Sequence, residues 1–153
     1  MTFKEFLLEL LNSKYDWPGL ESGNNLVLAK FEDDSGQEIV VHCSRYTGPD
    51  DLWEVEFTRD GAHHMTGGGD AIKVFSTVLD IVHEFCDAKD PHYITFSSKV
   101  GDASRVKLYK RLAKKVEAFG YKDISDTAVE EMPKMARIMK QRTGEHTFLL
   151  VRK

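Results

Sequence analysis

The sequence predicts a single domain of the α/β (α+β) class, in which antiparallel strands come first and helices alternate with strands later. Three observations carry this. Apolar and polar residues alternate over short runs between Leu26 and Phe57, the period of half-buried strands. Two later stretches, Ile72 to Cys86 and Val106 to Val116, switch to a period of 3.6. The 153 residues are 41% hydrophobic and 30% charged, the balance of one ordinary folded domain rather than two or of a disordered chain.

Along the chain, Phe3, Phe6, Leu7, Leu10 and Leu11 stand at helical intervals with Glu5 and Glu9 between them, which predicts an amphipathic helix rather than a secretory segment. Trp17-Pro18-Gly19 and Ser22-Gly23-Asn24-Asn25 break regular structure, so residues 1–24 form a helix and a loop. A strand over Leu26 to Phe31 leads into the turn Asp33-Asp34-Ser35-Gly36, and Ile39, Val41 and Cys43 mark the returning strand of a hairpin. Tyr46 to Asp51 is a loop. Trp53, Val55 and Phe57 then point one way and Glu54, Glu56 and Thr58 the other. Arg59-Asp60-Gly61 predicts a tight turn into a fourth strand over Ala62 to Thr66, ending at Gly67-Gly68-Gly69.

From Asp70 to Asp87 the stripe Ile72, Phe75, Val78, Leu79, Val82, Phe85 and Cys86 predicts a long helix, stopped by Asp90-Pro91. Tyr93 to Ser97 is a short β-rich run. Gly101-Asp102 reads as a turn and cap, and Val106, Tyr109, Ala113 and Val116 define the buried stripe of a second helix. Gly120 closes that helix, a brief strand follows over Lys122 to Ser125, and residues 126–144 form an irregular or helical insertion containing Pro133. Phe148 to Val151 is the last strand.

Charge is unevenly spread. The chain carries 21 Lys and Arg against 25 Asp and Glu, a net charge of -4. Residues 1–70 hold 14 acids and 5 bases, whereas residues 71–153 hold 11 acids and 16 bases. Much of the basic excess falls in residues 105–115, a cationic helix suited to solvent, to phosphates or to an acidic partner. The overall balance does not demand nucleic acid, and the exposed positions of that helix carry no interleaved aromatics for stacking single strands. Cys43 and Cys86 stand far apart with no second cysteine near either, which predicts a reducing, cytoplasmic setting. No apolar run approaches the roughly 20 residues that span a bilayer, so no membrane segment is expected. The six histidines include no HExxH, and neither cysteine has a Cys-x-x-Cys partner, so no metal is expected.

Two motifs carry chemistry. In His64-Met65-Thr66-Gly67-Gly68-Gly69 the glycines leave backbone N–H groups free to converge on a phosphate, and the following helix N-terminus adds about half a positive charge. Thr66 or Asp70 could equally cap the helix after a glycine turn. The second motif is Asp102-Ala103-Ser104-Arg105-Val106-Lys107-Leu108-Tyr109, at the start of the cationic helix.

Element order and these two motifs together resemble the GNAT-type N-acetyltransferase family. The first is similar to that family's acyl-CoA loop, (Gln or Arg)-x-x-Gly-x-(Gly or Ala), with His64 in the Gln or Arg place. The second resembles Asn-x-x-Ala-x-x-Leu-Tyr, with Asp102 for Asn and Arg105 for Ala. The resemblance implies a central, mostly antiparallel mixed sheet flanked by helices, with acetyl-CoA as the bound thioester. It implies cofactor binding at Thr66, Gly67, Gly68, Gly69, Ala71, Ser104 and Arg105, and a general acid at Tyr109 that protonates the departing thiolate. The acceptor would be an amine, whose proton needs a base. Glu54, Glu56, His63 and His64 lie on the flanking strands, and Glu56 is the candidate, although a row of solvent-facing glutamates would look the same. Tyr109 likewise sits on an apolar stripe that suits a core tyrosine.

The chain is also similar to short bacteriophage proteins carrying the Thr66-Gly67-x-Gly69-Asp70-Ala71 junction and the Ser104-Arg105-x-Lys107-Leu108-Tyr109 helix. That likeness implies the alternative function: a non-catalytic bacteriophage accessory protein, working in the host cytoplasm, that binds a host or viral macromolecule.

Overall fold

The computed structural model describes residues 2, 14–59, 71–97, 103–126, 130, 132–134, 136–138 and 147–153. The helix expected near the N-terminus, the strand over Ala62 to Thr66, the glycine junction and the Gly101-Asp102 cap lie outside the described residues.

The first hairpin forms because one side chain organises its turn. The Asp33 carboxylate accepts hydrogen bonds from the Ser35 and Gln37 backbone N–H groups, both at 2.9 Å, and from the Ser35 hydroxyl at 2.7 Å. Gly36 takes the left-handed conformation the turn requires, with φ of 81°. This sets β2 (Leu26–Glu32) against β3 (Glu38–Arg45), antiparallel from Leu26↔Ser44 to Glu32↔Glu38. A two-residue strand, β1 (Glu21–Ser22), edges β2. β4 (Leu52–Arg59) returns along β3 with Ile39 opposite Arg59 and Arg45 opposite Trp53.

Next comes α1 (Ala71–Lys89), a crossover that brings β5 (Tyr93–Ser97) alongside β4 in parallel. α2 (Ala103–Val116) follows, then a 3₁₀ turn over Glu117–Phe119 that ends on Gly120 at φ of 97°, the left-handed stop expected there. β6 (Tyr121–Asp123) begins and ends earlier than the run Lys122 to Ser125, because the Asp123 carboxylate captures the Ser125 N–H at 2.9 Å and turns the chain. The last strand, β7 (Thr147–Arg152), inserts between β5 and β6, antiparallel to both. Among the described residues the result is a seven-stranded mixed sheet in the order β1-β2-β3-β4-β5-β7-β6.

Period-two patterning decides which sheet face meets the helices. Val27, Phe31, Ile39, Val41, Trp53, Val55, Phe57, Ile94 and Phe96 are buried in one cluster with Val78, Ile81 and Phe85 of α1 and Tyr109, Leu112 and Val116 of α2. The opposite face is only partly covered. There Leu52 and Leu149 form a second cluster with Met132 and Ala136 from the insertion. Arg137 N–H donates to the Pro133 carbonyl at 2.9 Å, so Pro133 stands near the start of a helical turn, where its missing N–H costs little.

The segment before β1 is fastened to α1. Tyr15 N–H donates to the Thr77 hydroxyl at 2.8 Å, Trp17 Nε1 donates to Asp80 at 3.0 Å, and the Tyr15 ring stacks on Phe31 at 5.7 Å.

Candidate functional site

Among the described residues the sheet has one parallel step, between β4 and β5. At the start of the parallel pair, Asp51 is the fastening. Its backbone is left-handed at φ of 50°, and its carboxylate accepts from Trp53 Nε1 at 3.1 Å and from the His92 N–H at 3.0 Å. Its carbonyl accepts from the Tyr93 N–H at 3.1 Å, so the loop before β4 is tied to the entry of β5. Paired register then runs from Leu52↔Tyr93 to Glu54↔Thr95 and stops, although β4 continues to Arg59 and β5 to Ser97.

Both helices present their N-termini at the end where the strands have parted. Lys73, in the first turn of α1, lies 3.9 Å from Asp34, in the turn beside the Arg59 end of β4. At the other end of α2, Tyr121 donates to the Pro91 carbonyl at 2.5 Å, which returns the end of that helix to the entry of β5. Neither helix has an acidic residue in its first turn. A helix N-terminus at the carboxyl end of a parallel strand favours an anion where its first N–H groups are not already capped, and the residues directly before the two helices, Asp70 and Asp102, lie outside the described residues. Thr66, Gly67, Gly68 and Gly69 lie outside the described residues. Ala71 opens α1, and Ser104 and Arg105 stand in the first turn of α2, their side chains outside the description.

On the helix side the gap between the strands is filled. Tyr109 is 0% exposed, its ring 5.7 Å edge-on from Phe57 of β4 and 5.8 Å from Phe96 of β5 in a stack. Glu56 precedes Phe57 and so faces away from this wedge. The structure therefore does not bring Tyr109 and Glu56 to one cleft: they are on opposite faces of the sheet.

Glu54 and Glu56 share the less covered face, both half-buried, opposite Ser44 and His42 of β3. Glu54 carries the perturbation. Burial pushes its carboxyl above the ordinary value of 4.5 and the neighbouring Glu56 charge adds to this, while a short hydrogen bond from the Tyr46 hydroxyl opposes both. A half-buried carboxyl with a raised pKa, steadied by a phenol on a loop, is suited to holding and releasing a proton. Sequence reasoning favoured Glu56 and missed Tyr46, which reaches Glu54 because its own N–H bonds the Leu52 carbonyl at 2.9 Å.

Glu54 has a definite pH signature. A carboxyl whose folded pKa is raised stabilises the fold least once ionised, so its contribution is greatest below the ordinary value and is lost as pH rises through the folded value. Glu54→Gln is expected to flatten stability over that range. Tyr46→Phe is expected to move the Glu54 titration further up, as followed by carboxyl NMR. A Glu54 that titrates at 4.5 or below in the wild type would contradict the assignment.

Both cysteines are free and buried. Burial pushes the Cys86 thiol up to about 12, and burial likewise raises Cys43, so neither is a ready nucleophile. Among the described residues no group of three or more His, Cys, Asp or Glu could hold a metal ion, and no helix is long and apolar enough to cross a membrane. Comparison of the chain with protein-family models, with curated proteins and with solved structures gave no match.

Proposed function

We propose that this protein binds an acyl-CoA thioester where β4 and β5 part and transfers the acyl group to an amine. The observation that carries the reading is the loss of β4–β5 pairing after Glu54 and Thr95, with two helix N-termini at the same end of the sheet. The pyrophosphate belongs at the start of α1, held by backbone N–H groups of Thr66, Gly67, Gly68, Gly69 and Ala71, with Ser104 and Arg105 at the start of α2. Because Tyr109 occupies the helix side, the reacting groups meet on the Glu54 and Glu56 side of β4. There a carboxylate, Glu54 assisted by Glu56, takes one proton of the substrate ammonium, the neutral amine nitrogen bonds the thioester carbonyl carbon, the C–S bond breaks, and the departing thiolate leaves as the thiol by taking the second proton that the nitrogen sheds. Holding the two substrates together supplies much of the rate, and no metal enters this chemistry.

Calorimetric titration with acetyl-CoA tests this. The wild type is expected to bind with a dissociation constant on the order of micromolar, and Gly68→Trp, which fills the glycine run, to abolish binding. No heat of binding from the wild type would end the transferase reading. With an acceptor amine in hand, Glu54→Gln is expected to lower kcat by about 100-fold with acetyl-CoA affinity unchanged.

A further inference from the structure

The outer face of α2 is a cationic stripe. Lys107, Lys110, Arg111, Lys114 and Lys115 follow the spacing i, i+3, i+4, i+7, i+8, and all five are exposed. Residues so spaced lie on one side of a helix, along about 12 Å of its axis. The opposite stripe, Tyr109, Leu112, Ala113 and Val116, is buried in the core, so the helix is fixed with its cations outward. Among the described residues none of the five has a carboxylate within ion-pair distance, and Glu117 is the only acid between Ala103 and Phe119.

Helix stability does not account for the stripe. Lys114 and Lys115 suit the negative end of the helix dipole, but Lys107, Lys110 and Arg111 stand earlier, where cations gain nothing from it and repel one another at i, i+3 and i+4.

We infer that the outer face of α2 is a docking surface for a short acidic peptide segment of a partner protein. Its length and charge sign select that partner. The whole chain is at -4, so everything outside the stripe is net acidic. A nucleic-acid duplex carries a charge every 1.7 Å or so far beyond the roughly 12 Å stripe, more charge than five cations match, whereas an acidic segment of a few turns fits its length. Four of the five cations are lysines, point charges rather than the planar forks that read phosphates and bases in pairs. No exposed aromatic lies among them for a base to stack on.

Fluorescence anisotropy on the full chain decides it, using a labelled polyglutamate peptide of about a dozen residues, a neutral Ser/Gly peptide of equal length, and a duplex of about 20 base pairs. The acidic peptide is expected to bind and the neutral one not. Raising NaCl from about 20 to about 200 mM should weaken binding at least about tenfold. The variant K110E/R111E/K114E should lose peptide binding while keeping its circular dichroism. Should it fail to fold, K110Q/R111Q/K114Q is expected to weaken binding by at least about tenfold. The inference is overturned if the polyglutamate peptide does not bind, if the folded variant binds it as the wild type does, or if the duplex binds more tightly than the peptide.

Discussion

Tyr109→Ala is expected to lower the unfolding free energy by about 3–5 kcal/mol, the range for removing a large ring from a filled core. The ring is fully buried, and it touches β4 through Phe57 and β5 through Phe96 beyond the point where those strands cease to pair. Here side-chain packing takes over from backbone hydrogen bonding. Removing it leaves a cavity beside two strands that are not paired with each other at that level, and relaxation can fill only part of that space. Urea titration followed by intrinsic fluorescence measures the effect. A loss below about 1 kcal/mol would mean that the ring is not wedged as described. Tyr109 thus packs between Phe57 and Phe96 on the helix side of the sheet.

Asp33→Ala is expected to cost a similar amount, about 3–5 kcal/mol, for an electrostatic reason. Arg59 donates to the Asp33 carboxylate through Nε at 2.9 Å and Nη2 at 2.5 Å, with the two side chains only 7% and 0% exposed. Removing the carboxylate takes away the acceptor of two hydrogen bonds from a buried guanidinium and undoes the turn between β2 and β3 at one stroke. A paired apolar replacement, Asp33→Leu with Arg59→Met, is expected to recover part of the loss, since the charge is then gone from both sides. The turn would remain unbonded, so recovery is incomplete. Burial alone would raise the Asp33 carboxyl, but hydrogen bonds from Ser35, Arg59 and the Gln37 and Ser35 N–H groups outweigh it and hold it down to about 2. A depressed carboxyl stabilises the fold above its unfolded pKa, so this contribution is intact from about pH 5 upward and lost as pH falls from about 4 toward 2. Acid titrations of the wild type and Asp33→Ala should therefore converge over that window. Curves that stay parallel would contradict the assignment.

Local physics made much of the fold readable from the chain. β4 shows its inward face as Trp53, Val55 and Phe57, and α1 and α2 show theirs at a period of 3.6, because burial on one side imposes those periods. The Asp33 turn and the Gly120 stop were legible from residue type, since few other side chains serve those backbone conformations. Long-range pairing was not. Nothing local to Tyr93–Ser97 says that it lies parallel to β4, or that β7 slips between β5 and β6. The candidate site divides in the same way. Alternation placed Glu54 and Glu56 on one face, but the raised pKa of Glu54 comes from burial and from Tyr46, a contact made by the path of a loop. For Tyr109 two signals competed, a Leu-Tyr motif and an apolar stripe, and in the fold the ring lies where the stripe put it.

The central claim is that a thioester enters where β4 and β5 separate, and amide chemical-shift mapping of the labelled protein with acetyl-CoA tests it most directly. Shifts are expected at Val55 to Arg59, at Phe96 and Ser97, and in the first turns of α1 and α2. Shifts confined to Lys107, Lys110, Arg111, Lys114 and Lys115, or none at saturating acetyl-CoA, would contradict it.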